Sequence, residues 1–213
     1  MRRREFIVGL GGAAVAWPLA AGAQQQGRTY RVGLLAPGQM GPADERRRAI
    51  PQGLAVRGFV EGRNLIFDAR WGEPGRPETL PALAAALREA KADVPITFGY
   101  PAALTAKTTV KDVPIVVLGS GDPVATGLAE GLARPGGNLT GMTEMSTELS
   151  AKRLEILRDA VPNLRQVAML WNAADLGMTL RYHAAERRPA RSALGFRPWV
   201  CASRTTSMRL FPR

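Results

Sequence analysis

The chain has 213 residues, of which 46% are hydrophobic and 22% charged, so one large α/β domain or two small lobes can bury a core, and disorder is not the default. The net charge of +11 is uneven: residues 1–23 carry three arginines against one glutamate, 24–180 eighteen basic against sixteen acidic residues, and 181–213 eight arginines against one glutamate. A body this close to neutral is not the clustered basic face that a polyanion requires, which excludes nucleic acid as the expected partner.

Residues 1–23 read as an address. Arg2, Arg3 and Arg4 precede an apolar, glycine-rich run, and Ala21-Gly22-Ala23 supplies a small-x-small cleavage pattern with Gln24 as the mature start. The run falls short of the roughly 20 residues of a spanning helix, and Pro18 interrupts its end. A cleaved export peptide is therefore expected over a retained anchor. Arg3-Arg4-Glu5-Phe6-Ile7 resembles a twin-arginine motif, but Arg2 stands where Ser or Thr is usual, so the Sec route stays open. The expected location is the periplasm.

From Arg28 onward, short apolar runs alternate with helical patterns. TYRVGLLAPG predicts a buried strand ending in a turn, and ADERRRAIPQGLAVRGF a helix ending near Gly58, with a kink expected at Pro51 because proline lacks the interior N–H. NLIFDARW is a second strand. Leu80, Leu83, Ala84 and Leu87 fall at i, i+3, i+4 and i+7 and predict an amphipathic helix. VPITFGY, PAALTAKTTV, VPIVVLG and DPVATGLAEGLA then read as strand, helix, strand and helix, and NLTGMT as a fifth strand. A helix carrying Leu154, Leu157 and Val161, a sixth strand QVAMLWN and a helix from ADLGMTLRYHAAE follow. Near-continuous apolar strands alternating with helices predict a doubly wound parallel sheet covered on both faces. The lone Cys201 precludes an intramolecular disulfide, and the lone His183 gives no ligand spacing, so no metal or cofactor is expected.

The strings VGLLAPG, QGLAVRGFVEGRNLIFDARW, LPALAAAL, PIVVLGSGDPVATGLAEGLARPGGNLTGMT, SAKRLEILRDAVP and VAMLWN, in this order and spacing, resemble the ABC transporter substrate-binding family related to tryptophan/tyrosine uptake proteins. The resemblance covers about residues 1–186, and GDPVATGLAEGLARPGGNLTGMT is its most specific piece. It implies a type 1 periplasmic binding protein, with two doubly wound lobes closing on a small solute such as an aromatic amino acid, and an ABC permease as partner. Membrane contact is then expected only through the permease and during export. The division implied is a signal peptide over 1–23, an N-terminal lobe over 24–143 and the start of a second lobe over 144–186.

After Glu186 the periodicity fades and arginine becomes dense. Family members run on for about a hundred further residues, and a shifted reading frame over 200–211 permits a string resembling that continuation. Residues 187–213 are accordingly expected to be an out-of-frame, disordered basic tail without a strand, the alternative being a genuine solvated tail. With the second lobe only begun, apolar surface should stay exposed and closure on a ligand should be impaired. A degraded gene copy without function is the corresponding alternative.

In open parallel sheets a ligand lies beyond the carboxyl ends of the strands. That nominates Pro37 and Gly38 after the first strand, Tyr100, Pro101 and Ala102 after the third, Ser120 and Asp122 after the fourth, and Asn172 after the sixth. Backbone N–H groups near Ala102 and Ala103 suit a ligand carboxylate, Tyr100 an apolar or aromatic part, and Asp122 a ligand ammonium. Asp122 followed by Pro123 equally suits a helix cap. Trp71 and Trp171 read as packing residues, and the sequon at Asn138 as chance. A nucleotide-using Rossmann-type enzyme is the competing class. No strand–GxGxxG–helix unit, nucleophile–base pair or paired carboxylates can be assigned, so no enzymatic activity is expected.

Overall fold

The structure is a computed structural model and describes residues 27–38, 45–161, 163–187 and 195–201. The predicted export segment over 1–23 lies outside them, as do 188–194 and 202–213 of the tail. Strands β1 (Tyr30–Ala36), β2 (Leu65–Trp71), β3 (Val94–Phe98), β4 (Ile115–Leu118) and β5 (Leu139–Met142) form one parallel sheet in the order β2-β1-β3-β4-β5. β1 pairs in register with β2 from Tyr30↔Leu65 to Ala36↔Trp71, and its other edge takes β3. This is the doubly wound parallel α/β arrangement that the alternation of apolar strands and helices predicts.

The core follows from the apolar strands. Val32, Leu34, Leu35 and Ala36 are all buried, so β1 is covered on both faces. Helix α1 (Glu45–Ala55) runs through Pro51, and its Ile50 and Leu54 are only half-buried. Helix α2 (Leu80–Glu89) buries Leu80, Ala84 and Leu87, the face its spacing predicts. Helix α3 (Tyr100–Thr109) buries Ala102, Ala103 and Ala106, whose small side chains let it lie close to the sheet. Leu35, Leu87, Ile115 and Val117 join both helices in one hydrophobic cluster. Among the described residues, no helix is long and apolar enough to cross a membrane.

Asp93 ties the entry of β3 to β1. Its Oδ2 accepts the Arg31 N–H at 2.7 Å and its Oδ1 the Arg28 guanidinium at 2.6 Å. The Arg31 amide first, and Arg28 after it, hold the carboxyl below its ordinary value of 3.8, against an opposing push from burial. Asp93→Ala is expected to cost about 1–3 kcal/mol at neutral pH, because the Arg31 amide loses its acceptor. A carboxyl that binds its proton less readily folded than unfolded stabilises above its unfolded pKa and loses that contribution as pH falls through the folded one. Chemical denaturation of both forms should therefore show a gap at pH 7 that narrows in the acid range below 3.8.

Two expectations are corrected. The segment 123–133 forms turns and not a helix. The Asp122 carboxylate accepts the Val124 and Ala125 N–H groups, both at 3.0 Å, and opens a turn that Gly127 ends at φ 72°. Proline and repeated glycine in this stretch disfavour propagation of a helix. The second correction falls on the tail: Gly195–Cys201 is a strand, β7, paired in parallel with β6 (Gln166–Asn172) from Gln166↔Gly195 to Asn172↔Cys201. Phe, Trp and Val favour a strand, and Pro198, which obscures the pattern, is tolerated in an edge strand.

Helices α4 (Ser146–Ala160) and α5 (Leu176–Glu186) pack against each other, and α5 packs on β6. Trp171 stacks on Tyr182 with ring centroids 3.8 Å apart and planes 10° from parallel, which anchors α5 to β6. Burial first, and Glu186 beside it, raise the Tyr182 phenol above its ordinary pKa. This second layer leaves apolar groups exposed, with Leu149, Ile156 and Leu157 on α4 and Leu170 on β6 between 40% and 64% accessible. Two strands do not make an independently stable sheet.

Candidate functional site

The sheet order fixes where a site can form. From β1 the chain crosses to β2 on one side, whereas β3, β4 and β5 step away on the other. Loops at the carboxyl ends of β1 and β3 therefore diverge and open a crevice. A cavity of about 310 Å³ lies there, near the lower end for small-molecule sites. Its floor is Pro37 and Gly38 after β1, Phe98, Gly99 and Tyr100 around the end of β3, and Gly119 and Ser120 after β4. Its roof comes from the second layer: Glu144 on the crossover from β5 to α4, Asp175, Gly177 and Met178 at the start of α5, and Arg181 a turn further along it.

Of the residues nominated from sequence, the structure brings Pro37, Gly38, Tyr100 and Ser120 to this crevice. Pro101 and Ala102 lie one step further into α3, and Ala102 is fully buried on the sheet side. The Ala103 N–H is spent within the helix, donating to Gly99 O at 3.2 Å. Helix geometry leaves the Tyr100 and Ala102 amides without intrahelical acceptors. Asp122 sits away from the crevice lining, at its turn. Asn172 folds onto its own loop, where Oδ1 accepts the Ala174 N–H at 3.0 Å. Asn138 donates to Val113 O at 2.7 Å and Val110 O at 3.1 Å, a structural use of the sequon residue.

Sequence reasoning missed the roof. Asp175 is 7% exposed and caps α5, its Oδ1 accepting the Met178 N–H at 3.1 Å. An Asp just before a helical run was the available signal, three residues beyond Asn172. Arg181 approaches Glu144 at 3.8 Å, a loose ion pair within the roof. Its Nε is buried and has no hydrogen-bond partner among the described residues. Thr143 Oγ1 donates to Gly121 O, which holds the crossover bearing Glu144 against the first sheet's loops. The crevice thus presents a cation with an unspent donor, two carboxylates and two aromatic rings within one small volume. Among the described residues, no group of acidic, His or Cys side chains is disposed to hold a metal.

Residues 35–179 match the family model described as ABC transporter substrate binding protein. A tyrosine-binding protein of Clostridioides difficile (strain R20291) is 25% identical over 139 residues, which is 65% of this chain and 39% of that protein. A conserved domain protein from Vibrio cholerae O1 biovar El Tor superposes with a TM-score of 0.74 at 22% identity, over 82% of this chain and 58% of that one. The ABC domain from Streptococcus pneumonia in complex with L-Trp gives 0.72 at 20% identity, over 81% and 57%. The chain thus spans between about two fifths and three fifths of the relatives it matches. With the family model covering more than half of the sequence, the chain belongs to the ABC transporter substrate-binding protein family.

Proposed function

We propose that this chain is the extracytoplasmic solute-capturing component of an ABC uptake system, and that its solute is an amino acid with an aromatic or other apolar side chain. The observation that carries the reading is the pairing of opposite charges over an aromatic floor. Arg181 and the Tyr100 amide at the start of α3 suit a carboxylate. Asp175 and Glu144 suit an ammonium group. Tyr100 and Phe98 supply apolar surface for the side chain. A cavity near 310 Å³ matches a solute of that size and is small for a dinucleotide.

The names of the relatives support the same class, since one is a tyrosine-binding protein and another was crystallised with L-Trp. The partners in this reading are the small solute and a membrane permease, with export across the inner membrane as the only other membrane contact and the periplasm as the working compartment. Residues 1–23 serve as the export peptide, and the two sheets belong to two lobes that meet at the crevice.

Calorimetric titration tests the reading. L-Tyrosine, L-tryptophan, benzoate, ATP and NAD are each added to the full chain. Saturable heat with an aromatic amino acid, and none with the nucleotides, is expected. Binding of ATP or NAD with no response to any amino acid would overturn the assignment.

A further inference from the structure

Gly177 occupies the second position of α5, directly over the floor of the crevice. A Cβ built there would lie 3.1 Å from Ser120 O, 3.2 Å from Asp175 Oδ1 and 3.3 Å from Tyr100 Cβ. Two of those three atoms belong to the floor and one to the roof. Facing it is Gly121, where a Cβ would lie 3.7 Å from Gly177 Cα and 3.5 Å from Arg181 Nη2. The first turn of α5 therefore rests on the loop carbonyl of the first sheet through a glycine on each side.

The backbone gives no reason for glycine at 177. The residue is helical, outside the positive-φ region, and glycine in a helix is less favourable than alanine. What the position does require is the absence of a side chain, because contacts of 3.1–3.3 Å around a Cβ leave room only if the neighbours shift. The same seating carries Asp175 and Arg181 into the crevice.

We infer that Gly177 sets how far α5 descends onto the Tyr100 and Ser120 loops, and so sets the height of the crevice and the size of solute it accepts. Gly177 is a positioning residue in this account. It acts through the spacing between floor and roof and offers no group of its own to the ligand. The solute arm rests on the binding role proposed above, whereas the seating itself does not.

The test uses the full chain with Gly177→Ala and Gly177→Val, followed by amide hydrogen exchange without ligand and by calorimetry with L-tryptophan and L-alanine. In Gly177→Val, exchange at residues 100–102, 120–121 and the first turn of α5 is expected to rise about tenfold or more, with amides of α2 and β1 unchanged. Gly177→Ala should show a smaller rise at the same places even though its intrinsic helix propensity is higher. The ratio of tryptophan to alanine affinity should rise in both variants. Unchanged exchange at those loops overturns the inference. So does a uniform rise across the chain in Gly177→Val unaccompanied by local loosening in Gly177→Ala, which would mark a general packing defect. Local loosening with no binding of either solute supports the seating and counts against the proposed solute class alone.

Discussion

Replacing Gly141 with alanine is expected to cost about 3 kcal/mol of stability and to free the β5 edge of the first sheet. β5 pairs with β4 through Gly141↔Val117, and a Cβ at Gly141 would overlap the Val117 carbonyl oxygen and press on its carbonyl carbon and amide nitrogen at 2.8 Å. These are backbone atoms of a buried strand, so relief requires the ladder itself to part. The damage is expected to reach the crevice, because β5 leads directly into Thr143 and Glu144. Thr140→Ala, on the exposed neighbouring residue, is the control and should stay within about 0.5 kcal/mol of the parent. Urea denaturation of the three proteins checks this, and equal midpoints for the two variants would contradict it.

Charge reversal at Arg181 is the second large effect. Arg181→Glu places a third carboxylate beside Glu144 and Asp175 and removes the cation that the described residues bring to the crevice lining. Removing one partner of a largely desolvated charge contact costs about 2–5 kcal/mol, so solute affinity should fall at least about thirtyfold, taking 1.4 kcal/mol as tenfold. The thermal midpoint should fall as well, because the new carboxylate is repelled by Glu144 and the buried Asp175. Calorimetry of parent and variant with L-tryptophan, alongside their thermal midpoints, separates the two effects. Undiminished affinity in a folded variant would remove Arg181 from the account.

The first sheet was legible because its strands are buried on both faces and read as apolar runs, and because Leu80, Ala84 and Leu87 repeat at helical spacing. The floor of the crevice followed from that, since the ends of β1, β3 and β4 lie at predictable places once the order of elements is known. The roof did not. Glu144, Asp175 and Arg181 come from a crossover and a helix whose approach to the floor depends on contacts far apart in sequence, such as the Gly177–Ser120 seating and the Trp171–Tyr182 stack. Asp122 misled because an Asp–Pro pair suits both a cap and a ligand site, and its carboxylate is occupied by the Val124 and Ala125 amides. The segment 123–133 resembles a helix in its leucine and alanine content, but Gly127 and Gly131 break it into turns. β7 was hidden by Pro198 and the arginine-rich surroundings, although Phe196, Trp199 and Val200 carry strand preference.

In the proposed function, an amino acid with an aromatic or other apolar side chain sits between the loops of the first sheet and the first turns of α5. Two-dimensional amide spectra of the isotopically labelled chain, titrated with L-tyrosine and L-tryptophan, test it by location. The expected result is saturable shifts concentrated at Gly38, Tyr100, Ser120, Asp175 and Arg181. Shifts that cluster instead along β2, or no shifts with either amino acid, would contradict it.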